Sequence, residues 1–145
     1  MHKPALVLED TDYEVVDKIQ RALARKGIEC THFISVRMTE SKQMIGLLPY
    51  RAGEKLIKPA DFSMAFVDGW MGERSLQGCQ LVQSLCPHMP CIAISGDTSY
   101  NHEMVKAGAC GSVPKDRAPW YIATRLFDET GNLLLATESA RAASA

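Results

Sequence analysis

Several polar residues directly follow short apolar runs in this sequence, and their side chains carry the groups that phosphoryl transfer requires. They are Glu9 and Asp10 after Ala5–Leu8, Asp68 after 62–67, Ser95 after 90–94, and Lys115 after 110–114. A carboxylate can attack a phosphoryl group and form an aspartyl phosphate. An amine and a hydroxyl can neutralise the oxygens of the transferred group. Gly96, which has no side chain, leaves room for the donor to approach.

The three carboxylates would repel one another if the fold brought them together, and this repulsion would raise the pKa of at least one of them. A divalent cation bound between them would remove the repulsion. Magnesium favours hard oxygen ligands and is commonly held by one or two carboxylates together with water. The residue types therefore predict Mg2+, or another divalent cation, beside Glu9, Asp10 and Asp68.

The pattern of apolar residues predicts strands and helices in alternation. The predicted strands cover 5–8, 28–34, 62–67, 90–94 and 110–114. Five helices are predicted, and they begin after Thr11, within 38–48, near Leu76, at Asn101 and at Pro119. The second of these ends at Pro49, and 50–61 is predicted to be a loop. Five strands joined by helix-length connections predict an α/β fold, a doubly wound five-stranded parallel sheet flanked by helices. Ligands bind such a sheet outside the carboxyl ends of its strands, where all the candidate residues fall.

The length and composition of the chain limit the classes of protein that fit. At 145 residues it is long enough for one domain, which we predict over 1–132, with a C-terminal extension or tail over 133–145. The formal net charge of −1 gives no basic field for direct nucleic-acid binding. The longest apolar runs are too short to cross a membrane, and the N-terminus lacks the apolar core of a signal peptide. A cytoplasmic protein with reduced cysteines is expected.

Four segments of the chain, taken in order, resemble the receiver domains of two-component response regulators, including single-domain chemotaxis-type members. The segments are Leu-Val-Leu-Glu9-Asp10, Ala-Phe-Val-Asp68-Gly-Trp-Met71, Ala-Ile-Ser95-Gly96 and Ser-Val-Pro-Lys115, and the resemblance covers roughly residues 4–130. It implies the flavodoxin-like receiver fold, with strand order 2-1-3-4-5. The fifth strand is then an edge strand, which accounts for Pro114 within it.

The resemblance also implies a role for each candidate residue. Asp68 would be the phosphoacceptor, Ser95 the switch hydroxyl and Lys115 the phosphate-binding lysine. Asp10 would contact the metal directly, Glu9 through water, and the main-chain carbonyl of Trp70 would be a further ligand. We expect a stand-alone receiver that is not an enzyme and takes phosphate from a histidine kinase or histidine phosphotransfer protein. It would signal to a downstream target protein through the surface of its fourth and fifth helices, which could also form a homodimer.

Two departures from the receiver pattern concern the signalling output. Ser112 stands three residues before Lys115, where the family has an aromatic switch residue. The segment 35–61 is longer than usual, with Tyr50–Pro59 as the excess, and it either is a neutral insertion, which we favour, or binds a partner. Two alternatives stay open. One is a protein-binding module that works without phosphorylation. The other is a small magnesium-dependent aspartyl phosphatase, which would need a second carboxylate at the position of Trp70.

Overall fold

The computed structural model describes residues 3–134 of the chain. Its strands are β1 (Ala5–Leu8), β2 (Cys30–Phe33), β3 (Ser35–Met38), β4 (Met44–Leu47), β5 (Glu54–Ile57), β6 (Met64–Val67), β7 (Cys91–Ala93) and β8 (Gly111–Ser112). Its helices are α1 (Tyr13–Arg25), α2 (Gly78–Leu85), α3 (Thr98–Ala107) and α4 (Ala118–Thr124), with 3-10 turns at Pro59–Asp61 and Lys115–Arg117. No helix within this part of the chain is long and apolar enough to span a bilayer.

The five-stranded parallel sheet has the predicted order. Its strands run β2-β1-β6-β7-β8, which is 2-1-3-4-5 when only the strands of this sheet are counted, and each neighbouring pair is parallel. All residues of β1 and β6 are buried, as expected of strands covered on both faces. Strand β8 lies at the edge and is followed by Val113 and Pro114, so the proline costs no ladder hydrogen bond.

Two hydrophobic cores lie on opposite faces of this sheet. One contains the buried residues of α1 and α4, and the other contains those of α2 and α3. Helix α1 forms where it was predicted because Val15, Val16, Ile19, Ala22 and Leu23 make one buried stripe. The side chain of Asp12 accepts a hydrogen bond from the Val15 N–H at 3.1 Å and so caps the helix N-terminus.

The helix predicted within 38–48 and the loop predicted over 50–61 are wrong, because this part of the chain forms a second sheet. Strands β3, β4 and β5 pair antiparallel in the order β3-β4-β5. In β4 the burial alternates, with Met44 and Gly46 buried and Ile45 and Leu47 half-buried. The apolar residues of 44–48 are contiguous, and such a run does not distinguish a strand from a helix. The pairing of β4 with β3 and β5 makes this segment a strand.

The ends of the last two helices also differ from the prediction. Helix α3 begins at Thr98, three residues before Asn101, because the Asp97 side chain caps it through the Ser99 N–H at 2.8 Å. Helix α4 ends at Thr124, so Leu126 and Phe127, predicted within it, lie beyond its end and are nevertheless buried. Most of the predicted extension 133–145 falls outside the described residues, and the boundary at 132 stays a prediction.

Candidate functional site

A polar pocket of about 320 Å³ lies at the carboxyl ends of the central strands. The residues that line it are Asp10, Thr11, Asp68, Trp70, Ser95, Gly96, Asp97, Tyr100 and Lys115. They come from the segments that follow β1, β6, β7 and β8. The pocket therefore occupies the crevice in which doubly wound sheets bind their ligands.

Three carboxylates meet at the base of this pocket. Glu9 is fully buried, Asp68 is 5% exposed and Asp10 is half-buried. One carboxylate oxygen from each of these residues lies within 4.8 Å of the corresponding oxygens of the other two. Burial raises the pKa of Asp68, and burial together with the Asp68 carboxylate raises the pKa of Glu9. Burial and the charge of Glu9 raise the pKa of Asp10. The repulsion expected from the sequence is therefore present in the fold.

Lys115 is the cation that partly compensates these charges. Its Nζ lies 3.3 Å from Glu9 Oε2 and 3.8 Å from Asp68 Oδ2. Burial disfavours the charged amine, but the carboxylates of Asp68 and Glu9 outweigh it and raise the pKa of Lys115. Asp68 is also oriented by its own loop, because its Oδ1 accepts a hydrogen bond from the Gly69 N–H at 2.8 Å. The second oxygen of Asp68 is thereby held on the lysine side of the pocket.

Ser95 is held in place by Asn101, a residue that sequence reasoning missed. The Asn101 side chain accepts from the Ser95 N–H at 2.8 Å and donates to the Ser95 carbonyl at 2.9 Å. The Ser95 hydroxyl oxygen accepts a hydrogen bond from the Asp97 N–H at 3.0 Å. Among residues 3–134, the hydroxyl proton is donated to no acceptor. Its proton is therefore available to a ligand in the pocket. The sequence signal for Asn101 is its spacing, since it lies three residues before Met104 and so on the same face of the helix. In the structure both residues are buried.

The loop that follows Asp68 is fixed by two side chains that sequence reasoning also missed. Gln77 accepts from the Met71 N–H at 2.8 Å and donates to the carbonyls of Gly72 and Ser75. The Ser75 hydroxyl accepts from the Val36 N–H of β3 at 2.9 Å. The second sheet is thus joined to the loop that carries Trp70. No described hydrogen bond ends on the main-chain carbonyl of Trp70, so this oxygen stays available as a ligand.

The donor set fits a hard divalent cation. It consists of carboxylate oxygens from Glu9, Asp10 and Asp68, with the Trp70 carbonyl in the neighbouring loop, and it contains no sulfur or imidazole ligand. Magnesium and calcium prefer such oxygen ligands. His32 is not part of the set, because it is buried with its Nε2 2.6 Å from the main-chain oxygen of Glu9. The structure brings together every site residue that the sequence singled out, while their roles stay predictions.

The fold is similar to solved structures of response regulators. A CheY-like receiver domain protein from Methanospirillum hungatei JF-1 is 16% identical, with a TM-score of 0.55, over 83% of this chain and 86% of that one. The BeF3-activated DrrB receiver domain is 15% identical, with a TM-score of 0.59, over 86% of this chain and 94% of that one. A response regulator from Burkholderia pseudomallei, solved with a phosphorylated aspartic acid, a calcium ion and citrate, is 19% identical, with a TM-score of 0.53, over 78% of this chain.

The present chain spans 59% of the Burkholderia protein's length. No protein-family model and no curated protein matches the sequence. At such low identities the similarity to solved structures establishes the fold: this chain has the receiver-domain fold of response regulators.

Proposed function

We propose that this protein is a response regulator receiver that accepts one phosphoryl group on Asp68. The observation that supports this proposal is the convergence, at one end of the parallel sheet, of three carboxylates, the Lys115 amine and the Ser95 hydroxyl. These groups are the ones that an aspartyl phosphate needs for its formation and neutralisation. The phosphorylated aspartic acid in the Burkholderia neighbour is consistent with this reading.

The reaction can be written with the residues at hand. A carboxylate oxygen of Asp68 attacks the phosphorus of a phosphohistidine, a P–O bond forms, and the P–N bond breaks. The leaving imidazole takes up a proton from water, and Asp68 becomes an acyl phosphate. Lys115 neutralises one phosphoryl oxygen, and Ser95 donates its free hydroxyl proton to another. The Gly69 N–H holds Asp68 Oδ1 and fixes the orientation of the carboxylate during the attack.

Magnesium, held by Glu9, Asp10, Asp68 and the Trp70 carbonyl, would supply positive charge that lowers the repulsion between the carboxylates and the incoming phosphoryl group. Without a metal ion, the carboxylates of Glu9, Asp10 and Asp68, with that of Asp97 on the pocket lining, outnumber the Lys115 ammonium, which disfavours an anionic donor. The buried Glu9 carboxylate stays beneath the pocket, where it accepts hydrogen bonds from the N–H groups of Thr11 and Asp12 at 3.3 and 3.2 Å. These bonds keep it in place.

The phosphodonor would be a histidine kinase or a histidine phosphotransfer protein, and phosphorylation would shift an equilibrium between two conformations that a downstream target protein recognises. The predicted fourth and fifth helices correspond to α3 and α4, which flank the edge strand β8. Ser112 lies in β8 and has no ring to move between buried and exposed positions. The loop 69–77, which joins the pocket to the second sheet through Ser75 and Val36, offers a second route for the signal.

Intact-mass measurement after incubation with Mg2+ and acetyl phosphate tests this proposal. We expect one added phosphoryl group on the wild-type protein, none on Asp68→Asn, and none when the metal is removed with EDTA. Asp61→Asn is the matched control, because Asp61 is an exposed aspartate outside the pocket and its loss should leave labelling unchanged. Labelling of Asp68→Asn at the wild-type rate would contradict the proposal, as would no labelling of the wild-type protein under conditions that label other receivers.

A further inference from the structure

The second sheet forms one wall of a groove of about 640 Å³ on the side of the molecule that carries α2. In its register, Met38 pairs with Met44, and Met44 pairs with Ile57, so these three residues form one row across the sheet. Met44 and Ile57 are buried, but Met38 at the end of the row is 38% exposed. Ser84 of α2 and His88, which follows that helix, also line the groove. The apolar wall is therefore open to solvent at one end.

The charged groups around this groove all have the same sign. Lys42 and Lys58 line it, and no aspartate or glutamate between residues 3 and 134 does. Neither lysine forms an ion pair with any residue between 3 and 134. Lys42 is further held in the left-handed conformation at φ 63°, which is uncommon for a residue with a side chain and is found at turns and at functional sites. A low-dielectric wall beside unpaired cations attracts an anion.

The size of the groove corresponds to a small molecule, since ligand pockets of proteins measure about 300–1,000 Å³ and are mostly apolar with a few polar groups. Flexible methionines such as Met38 adapt to ligands of different shape. We propose that this groove binds a small apolar carboxylic acid, with its hydrocarbon part against Met38, Met44 and Ile57 and its carboxylate between Lys42 and Lys58. The occupant is an acid because Lys42 and Lys58 lie at the same end of the β4–β5 pair, where Met44 pairs with Ile57. It is small because the groove measures about 640 Å³.

This site is separate from the acidic pocket, and in the described part of the chain no residue lines both. Most of its lining comes from the segment 35–61, which is longer than in the receiver pattern and was expected either to be a neutral insertion or to bind a partner. Binding in the groove therefore requires neither a metal nor Asp68, and the inference goes beyond the proposed phosphoacceptor function. Asp68→Asn is expected to bind the acid as tightly as the wild-type protein does.

Titration of the full chain with decanoate, followed by NMR of methyl-13C-labelled methionines, tests the proposal. The signals of Met38 and Met44 should shift with saturation, while those of Met64 and Met104, which lie outside the groove, should stay in place. Decanol has the same hydrocarbon part without the charge, and it should bind roughly tenfold more weakly, a factor that corresponds to about 1.4 kcal/mol. Displacement of 8-anilinonaphthalene-1-sulfonate, an apolar anion, gives an independent fluorescence readout.

The matched variants are Lys58→Glu and Lys55→Glu, which change the net charge equally. Lys58 lines the groove, whereas Lys55 is an exposed residue of β5 that does not. We expect Lys58→Glu to weaken decanoate binding roughly tenfold and Lys55→Glu to change it less than about twofold, since exposed charge pairs away from the ligand contribute little. Equal effects of the two substitutions, equal binding of decanol and decanoate, or absence of Met38 and Met44 shifts would each overturn the proposal. Binding of an acidic peptide but not of decanoate would overturn it as well.

Discussion

The Nζ atom of Lys115 lies closer to Glu9, at 3.3 Å from Oε2, than to the proposed phosphoacceptor Asp68, at 3.8 Å from Oδ2. Glu9 is fully buried and Lys115 is partly buried, with 22% of its side chain exposed. In this state the lysine therefore compensates both buried carboxylates, with Glu9 as the nearer partner. A phosphoryl group on Asp68 would add negative charge on the Asp68 side of the lysine. The Lys115 ammonium would then have two anionic partners, Glu9 and the phosphoryl group.

Lys115→Met is expected to destabilise the metal-free protein, because the buried carboxylates lose their neighbouring cation. Removing one partner of a buried ion pair costs about 3–5 kcal/mol, and the partial exposure of Lys115 reduces this to roughly 1–3 kcal/mol. Urea unfolding at pH 8 without Mg2+ measures the difference. Lys115→Arg keeps the charge and is the control, with a smaller loss. A stability of Lys115→Met equal to that of the wild type would show that the lysine does not compensate Glu9.

Asp68→Asn is expected to stabilise the metal-free protein at neutral pH. Burial raises the pKa of Asp68 in the folded state above its ordinary value of 3.8. Between the ordinary and the raised pKa the folded state binds more protons than the unfolded state, so the free energy of unfolding falls as the pH rises through this interval. Removing the charge removes this penalty, which is about 1.4 kcal/mol for each pKa unit, or about 4 °C in Tm.

Thermal unfolding from pH 5 to pH 8 checks this sign. The Tm advantage of Asp68→Asn over the wild type should be largest at pH 8 without metal and should shrink at pH 5. Millimolar Mg2+ should also reduce it, because the cation stabilises the wild-type carboxylates. An advantage that is constant across pH and unaffected by Mg2+ would contradict the explanation from buried charge.

Gly46→Ala distinguishes the second sheet from the helix that the sequence predicted. In β4 a Cβ atom at position 46 would overlap the ring of Phe33, so the substitution should destabilise the protein by about 1–3 kcal/mol. In a helix, glycine to alanine would instead stabilise by about 1 kcal/mol. Gly96→Ala is the control, since the nearest atom to its Cβ is Lys115 Cε at 4.0 Å. Urea midpoints give the sign, and a stabilised Gly46→Ala variant would rule out this packing.

Asn101→Ala is expected to affect both stability and the reactivity of the pocket. It removes two buried hydrogen bonds to the main chain of Ser95, and leaving such groups unpaired costs about 1–3 kcal/mol. Ser95 would then be less well placed, so the rate of labelling by acetyl phosphate should fall while the extent still reaches one phosphoryl group. His102→Ala, an exposed neighbour on α3, should change neither quantity. An unchanged labelling rate in a destabilised Asn101→Ala protein would limit Asn101 to a structural role.

The site residues and the parallel sheet were predictable because their signals are local. The three central strands β1, β6 and β7 are short apolar runs buried on both faces. The polar residues that follow them therefore lie at the carboxyl edge of the sheet. Helix α1 was predictable from the spacing of its buried stripe and from the Asp12 cap.

Tertiary structure decided the features that depend on residues distant in sequence. Whether 44–48 became a helix or a strand depended on its pairing with β3 and β5 and on the contact between Gly46 and Phe33, and none of these partners is marked by a local pattern. Tertiary structure also set the contact between Lys115 and Glu9, which are 106 positions apart, and the contact between Ser75 and Val36, which are 39 apart. The sequence by itself determined which groups are available for the proposed chemistry. The tertiary structure decided their distances, and it formed a groove from an insertion, because packing energies depend on the whole chain at once.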